Sequence, residues 1–218
     1  MAILFFINPL DQKRVSFFSL DSVQEKLISN ISDKYDYYSF ILDAEPSKNC
    51  IKIDNLINLD SSTNVLFTDS LGSPLGSRFL SSDNKIEIEV PVSSEKRFFN
   101  VYVSNNFNQT VLSKFDCEDL NQNDFSFSQK DIRTTAFYNK IFLFNSSYMS
   151  NYNEFKEQLG IEDNFNFVVY YLNKTILISD SLSKKKPLGV RVMAREIPIN
   201  IMDSNAKKYP FIISIRVW

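Results

Sequence analysis

The sequence predicts a mainly β protein with minor α: an immunoglobulin-like antiparallel β-sandwich at residues 45–118 and a C-terminal α+β domain at 137–218 that ends in a β-hairpin. Short runs of β-branched and aromatic residues, separated by Ser, Asn, Gly and Pro, recur through the middle of the chain, as in sandwiches. Residues 190–218 alternate apolar and polar on both sides of a polar turn at 203–205, which predicts the hairpin. A chain of 218 residues is long enough for two small domains.

Residues 1–44 form a segment ahead of the sandwich. Residues 2–7, AILFFI, are wholly apolar but too short to span a membrane or to form a complete signal peptide. They are either a first strand or the trace of a longer apolar anchor. The candidate residues for assembly or anchoring are Ile3, Leu4, Phe5, Phe6 and Ile7.

One helix and one strand are predicted in the rest of this segment. Ser22 and Glu25 have the spacing of a capping box, and an apolar residue recurs every fourth position from Val23 to Ile31. The helix is predicted to end near Lys34. The aromatic and β-branched run at 35–43 then predicts a strand.

Six strands are predicted for the sandwich. KIEIEV is the clearest, since Ile86, Ile88 and Val90 fall on one face and Glu87 and Glu89 on the other. The predicted strands are 50–56, 64–68, 77–80, 85–90, 98–103 and 110–115.

The remainder of the chain is predicted to begin with a linker and to continue as the α+β domain. This linker, or alternatively an irregular excursion, is placed at 118–136, because this stretch is polar and weakly patterned. A helix is predicted at 151–159, with Gly160 in the C-cap position. The predicted strands are 137–144, 165–172, 175–180 and the two of the closing hairpin.

Composition excludes several classes of function. The net charge of −2, from 24 basic and 26 acidic residues, does not provide the positive field of a nucleic-acid binder. The absence of His removes catalysis by imidazole and the common zinc sites. We therefore predict no catalytic residue, no cofactor and no metal site, and a protein that is not an enzyme.

Acidic residues are the remaining candidates for chemistry. Asp116, Glu118 and Asp119 cluster beside Cys117, and a second acidic pair lies at 162–163. Carboxylates are the ligands that Ca²⁺ prefers, but neither cluster has the spacing of a calcium loop. The interpretation that we favour is two solvated turns.

Two further features indicate the compartment. Cys50 and Cys117 are the two cysteines of the chain, and a disulfide between them would tie the two ends of the sandwich together, whereas a reducing compartment would leave two thiols. Four N-x-S/T sequons are candidates for N-glycosylation, at Asn30, Asn108, Asn145 and Asn173.

The C-terminal stretch FKEQLGIEDNFNFVVYYLNKTILIS, followed by VRVMAREIPINIMDSNAKKYPFIISIRVW, resembles archaeal secreted or surface-anchored proteins of the type IV pilin-like group. The resemblance covers roughly the last 65 residues and consists of a helix ending in Leu-Gly, a strand pair, and a final pair ending in Trp. Such proteins carry a prepilin cleavage site and a long N-terminal apolar helix, of which AILFFI is the only counterpart here. The resemblance implies an extracellular, non-enzymatic role at a surface or in a filament.

We therefore expect a non-enzymatic extracellular structural or adhesive protein, a cell-surface or filament subunit. Its expected partner is a protein, through self-assembly or a surface partner, and no nucleic acid is expected. Membrane attachment is expected only through a segment that this sequence does not include. The alternative is an intracellular or viral binding or structural module, such as a capsid or accessory protein, with reduced cysteines. An aromatic patch of Tyr35, Tyr37 and Tyr38 is a candidate surface for a carbohydrate or protein ligand.

Overall fold

A computed structural model describes residues 17–43, 45–55, 57, 63–80, 82–91, 97–113, 116–178 and 191–218. The predicted fold class is confirmed: the protein is mainly β with minor α, and two sheets pack into a β-sandwich. No helix in these ranges has the length and apolar character needed to cross a membrane.

The described ranges contain three helices and fourteen strands. The helices are α1 (Phe17–Ile31), α2 (Tyr138–Ser150) and α3 (Tyr152–Gln158). The strands are β1 (Ser32–Leu42), β2 (Cys50–Asp54), β3 (Val65–Thr68), β4 (Pro74–Leu75), β5 (Ser77–Leu80), β6 (Lys85–Glu89), β7 (Arg97–Val103), β8 (Glu118–Asp119), β9 (Phe125–Phe127), β10 (Asp131–Phe137), β11 (Phe165–Tyr171), β12 (Ile176–Ile178), β13 (Met193–Met202) and β14 (Lys208–Val217).

The chain divides into two units that are discontinuous in sequence. The sandwich unit comprises Ser32–Asn139 and Ile201–Tyr209, and the helical unit comprises α1, Lys140–Asn200 and Pro210–Trp218. Strands β13 and β14 therefore each supply residues to both units.

In the sandwich unit, the longer sheet has the order β13-β10-β1-β7-β3-β4, with β9 also paired to β1. The shorter sheet has the order β5-β6-β2-β8. Most pairings are antiparallel, but β10 and β13, and likewise β2 and β8, run parallel.

Strand alternation divides the side chains of the longer sheet between two faces. One face packs on the shorter sheet: Phe40 and Phe67 meet Ile51 and Ile88 in a core where all four are fully buried. The opposite face contributes to a second cluster of buried side chains, which are Tyr35, Leu66, Phe107, Phe137 and Met202.

In the helical unit, the strand order is β12-β11-β14-β13. Helices α2 and α3 pack on β11 through aromatic rings, with Phe144 edge-on to Phe167 at 5.2 Å between centroids. The closing hairpin is confirmed as β13 and β14, and Trp218 exchanges two backbone hydrogen bonds with Asn164, at 2.8 and 2.9 Å. The final residue is thereby held beside the start of β11.

Three predicted elements are wrong. Residues 137–144 are not a strand, since α2 begins at Tyr138, and the predicted linker at 118–136 contains β8, β9 and most of β10. No strand forms at 110–113, the described part of the predicted strand 110–115. The apolar run at 2–7, with Ile3, Leu4, Phe5, Phe6 and Ile7, lies outside the described residues.

Candidate functional site

The two cysteines form a disulfide within the shorter sheet. Cys50 begins β2, Cys117 immediately precedes β8, and their Cα atoms are 4.4 Å apart. The parallel pairing that places Ile51 opposite Glu118 brings the two cysteines side by side. The bond therefore joins neighbouring strands of one sheet, and Cys50 is 1% exposed.

The acidic cluster around Cys117 does not converge on a common point. Asp116 pairs with Lys48 at 2.6 Å, and Asp119 pairs with Lys85 at 2.6 Å. Glu118 accepts a hydrogen bond from the backbone N–H of Ser47 at 2.6 Å. The hydrogen bond from Lys85 lowers the pKa of the Asp119 carboxyl. Each carboxylate therefore has a different partner: two of these partners lie just before β2 and the third lies in β6.

The two glutamates of β6 are likewise engaged in structural contacts. Glu87 is 4% exposed and accepts a hydrogen bond from Nε of Arg78 at 2.9 Å, with Lys52 at 3.9 Å. Glu89 accepts from the backbone N–H of Ser113 at 2.5 Å. Within the described ranges, no group of three or more Cys, Asp or Glu residues is placed to hold a metal ion.

The sandwich unit contains a cleft of about 430 Å³. The cleft lies on the face of the longer sheet that packs against the shorter sheet in the sandwich core. The even-numbered residues of β1 point to this face. Among them, Tyr38 belongs to the sandwich core and is the core residue of β1 nearest the cleft. Beyond it, Asp36 lies opposite Val103 of β7 and lines the cleft. The volume is in the range of small-molecule sites.

The cleft combines an apolar floor with charged and polar groups. Val103, Ile57 and the ring of Tyr38 supply the apolar part, while Lys130 and Asp36 form an ion pair at 2.6 Å beside them. This ion pair is partly exposed, with side-chain exposures of 49% and 29%, so both charges are accessible from the cleft.

Tyr38 is a buried polar side chain of this cleft. It is 7% exposed, and its hydroxyl has no hydrogen bond to another residue in the described part of the chain. Burial raises the pKa of this hydroxyl, although Lys130 acts in the opposite direction. At neutral pH the group is therefore a protonated phenol that can both donate and accept a hydrogen bond.

The three tyrosines of β1 do not form a single patch. Tyr35 is buried in the second cluster, on the face opposite Tyr38. Tyr37 is half-buried on the same face as Tyr35, where the Arg133 guanidinium lies 3.6 Å from its ring centroid and its hydroxyl donates to Asn100 at 2.7 Å. Alternation along the strand places Tyr38 on the face opposite Tyr35 and Tyr37. Tyr35 and Tyr38 are both among the residues that line the cleft.

The sequence pointed to Tyr35 and Tyr38, which line the cleft, but not to the ion pair beside them. Lys130 and Asp36 are far apart in sequence, and Lys130 belongs to the stretch predicted to be a linker. The missed signal is the alternation in DIRTTAF, where Arg133 and Thr135 are half-buried and Phe137 is fully buried. A polar strand of this kind is recognisable only when its partner strand is known.

The four sequons occupy different settings. Asn30 is at the C-terminal end of α1, Asn108 follows β7, Asn145 is half-buried in α2 and Asn173 is in the exposed turn between β11 and β12.

Fold and site together define a β-rich, disulfide-bonded protein of two units with a small polar and aromatic cleft in one of them. Comparisons with family models, with characterised proteins and with solved structures find no match to this chain.

Proposed function

We propose that this chain is a non-enzymatic extracellular structural or adhesive protein, a subunit of a cell surface or filament. The observation that carries the proposal is the Cys50–Cys117 disulfide, because such bonds persist in oxidising compartments and are rare where thiols are kept reduced. The pilin-like resemblance of the C-terminal stretch supports the same compartment.

Thiol titration in denaturant tests the compartment, using protein isolated from its native source with free thiols blocked at lysis. The proposal predicts no titratable thiol before reduction and two after it. Two free thiols before reduction would contradict it and favour the intracellular or viral module with reduced cysteines.

For the adhesive role we propose that the cleft of the sandwich unit binds a saccharide. A sugar ring presents C–H groups on its faces and hydroxyls around its edge, so it requires an apolar surface bordered by donors and acceptors. Tyr38 and Val103 supply the surface, and the Lys130–Asp36 pair together with the Tyr38 hydroxyl supplies the hydrogen bonds.

Binding of a panel of neutral and acidic oligosaccharides to the full chain, followed by calorimetry on the strongest, tests this role. Lys130→Ala is expected to weaken binding about tenfold, the equivalent of one charge-assisted hydrogen bond. Lys208→Ala is the matched control, since this exposed lysine is in the same unit but does not line the cleft. Equal affinity of Lys130→Ala and the wild type would contradict the proposed site, as would binding of no saccharide.

The filament form of the proposal assigns assembly to residues 2–7, including Ile3, Leu4, Phe5, Phe6 and Ile7. An apolar segment that pairs in extended conformation can complete the exposed sheet edge of a neighbouring copy. Deleting residues 1–8 is then expected to abolish oligomers in sedimentation velocity. Oligomers of unchanged size after the deletion would contradict this assembly mechanism.

A further inference from the structure

The four sequons differ in whether the side-chain amide nitrogen of the asparagine is available for modification. N-glycosylation forms a bond between this nitrogen and the first sugar, so a nitrogen already used as a hydrogen-bond donor is a poorer acceptor site. The nitrogen must also lie at an exposed position with room for a bulky glycan.

Two sequons have their amide nitrogen engaged. The nitrogen of Asn30 donates to the backbone carbonyl of Lys26 at 2.8 Å, within the last turns of α1. The nitrogen of Asn108 donates to the Ser204 hydroxyl at 2.8 Å, and the backbone N–H of Asn108 also donates to the Ser204 carbonyl at 2.9 Å. Modifying either residue requires these bonds to break.

The third sequon is unsuitable for a different reason. Asn145 is half-buried in the middle of α2, and Ser147, the hydroxyl residue at the third position of the sequon, is on the same helix. Helical backbone fixes these two residues on the α2 surface and excludes the turn conformation in which an asparagine side chain folds back on the residue two positions later.

Asn173 has that turn conformation. Its side-chain oxygen accepts a hydrogen bond from the backbone N–H of Thr175 at 3.0 Å, and its amide nitrogen makes no hydrogen bond to any residue that the structure describes. Asn173, Lys174 and Thr175 are all exposed, and Lys174 has φ of +68°, as a residue at the tip of a tight turn.

The surroundings of Asn173 also favour a glycan. The turn joins β11 to β12, and β12 is at the edge of the strand order found in the described residues. Leu172 and Ile176 flank the turn and are 57% and 59% exposed. Exposed apolar side chains at a strand edge promote pairing between chains, and a glycan on Asn173 would cover them.

We propose that Asn173 is the sequon at which this chain accepts an N-linked glycan, and that the glycan shields the β12 edge. In the transfer, the Asn173 amide nitrogen forms a bond to the anomeric carbon of a lipid-linked oligosaccharide, the lipid pyrophosphate leaves, and the amide loses one proton. This inference rests on the proposed function, since the transferring enzymes act on secreted and surface proteins.

The test uses the purified, folded, disulfide-intact full chain, a single-subunit oligosaccharyltransferase and a lipid-linked oligosaccharide, with occupancy of each sequon measured by mass spectrometry of glycopeptides. We expect Asn173 to be modified at least tenfold faster than Asn30, Asn108 or Asn145. Thr175→Ala removes the sequon but keeps the asparagine, and it is expected to abolish modification at Asn173. Asn108→Gln is the matched control and is expected to leave the rate at Asn173 unchanged.

The inference is overturned if Asn173 stays unmodified, or if Asn108 is modified as fast as Asn173. These outcomes are distinct from failure of the proposed function, which is judged by free thiols in native material and not by acceptor activity in the purified chain. The shielding role is tested by light scattering of the glycosylated and unglycosylated chains at equal concentration. Slower aggregation of the glycosylated chain supports it, and equal rates overturn it.

Discussion

Replacing both cysteines by alanine tests the contribution of the disulfide to the sandwich unit. The bond joins residues separated by 67 positions, and chain entropy gives about 4 kcal/mol for closing a loop of that length in the unfolded state. The Cys50→Ala/Cys117→Ala variant is therefore expected to lose about 4 kcal/mol of the free energy of unfolding, a large share of the 5–15 kcal/mol that is usual for a domain.

The loss is expected to be greatest around β8. Without the disulfide, this two-residue strand is held to the shorter sheet by the partly exposed ion pairs of Asp116 and Asp119 and by a few hydrogen bonds, one of them from the Leu120 N–H to the Lys52 carbonyl at 3.0 Å. Exposed ion pairs contribute at most about 1 kcal/mol each. Local opening of 116–122 should thus occur below the concentration of urea that unfolds β2 and β6.

Hydrogen exchange with mass spectrometry across a urea series measures both effects. Peptides that cover β8 should lose protection first in the variant, and those of β2 and β6 should follow at a lower urea concentration than in the oxidised wild type. Chemically reduced and alkylated wild type is the control for effects of the alanines themselves. If the peptides of β8 and β2 keep the wild-type protection in the variant, the disulfide does not support this edge and the reasoning is refuted.

Three further predictions concern other contacts. Glu87→Gln should lower the free energy of unfolding by about 2 kcal/mol in urea denaturation, because it removes the buried charge that its arginine partner binds; an unchanged midpoint would count against a structural role. Gly76→Ala should destabilise the fold more than Gly72→Ala in the same assay, because a Cβ at Gly76 would lie 2.7 Å from a glutamate oxygen. A Cβ at Gly72 meets nothing within 4 Å, so the cost there comes only from the backbone φ of +80°. The reverse order would be inconsistent with this packing. The hydrogen bond to Glu196 raises the pKa of Tyr170 to about 12. The protonated hydroxyl therefore stabilises the fold below pH 10, and this contribution is lost between about pH 10 and 12. NMR titration of the Tyr170 ring should show a lower pKa in Glu196→Gln, and an unchanged pKa would exclude the bond.

Much of the β architecture was predictable because it follows from alternation. In KIEIEV, Ile86 and Ile88 are buried as predicted, and the same rule located the closing hairpin. Glu87 shows the limit of the rule. It is on the face predicted for solvent, yet Arg78 and Lys52 cover it, and their positions depend on strand pairing that a local pattern does not contain.

The error at α2 has a similar cause. FYNKIFLF is rich in aromatic and β-branched residues, which favour strands. The helix is stabilised by burial of Ile141, Phe144 and Tyr148, whose spacing of three and four appears only in a window that continues past residue 144. Tertiary packing thus decided between two local preferences.

The cleft could not be predicted for a geometric reason. Asp36 and Lys130 are brought together because β1 pairs with β10. That pairing follows from the fold of the whole sheet and not from any pattern near either residue. Tyr38 was recognisable as a candidate only because aromatic residues cluster visibly in the sequence.

The central claim is that the folded chain is exposed at an outer surface. The most direct measurement is labelling of intact native cells with a membrane-impermeant amine reagent, followed by mass spectrometry of exposed lysines such as Lys130 and Lys208. An extracellular protein should be labelled on intact cells as fully as after lysis. Labelling that appears only after lysis would contradict the claim.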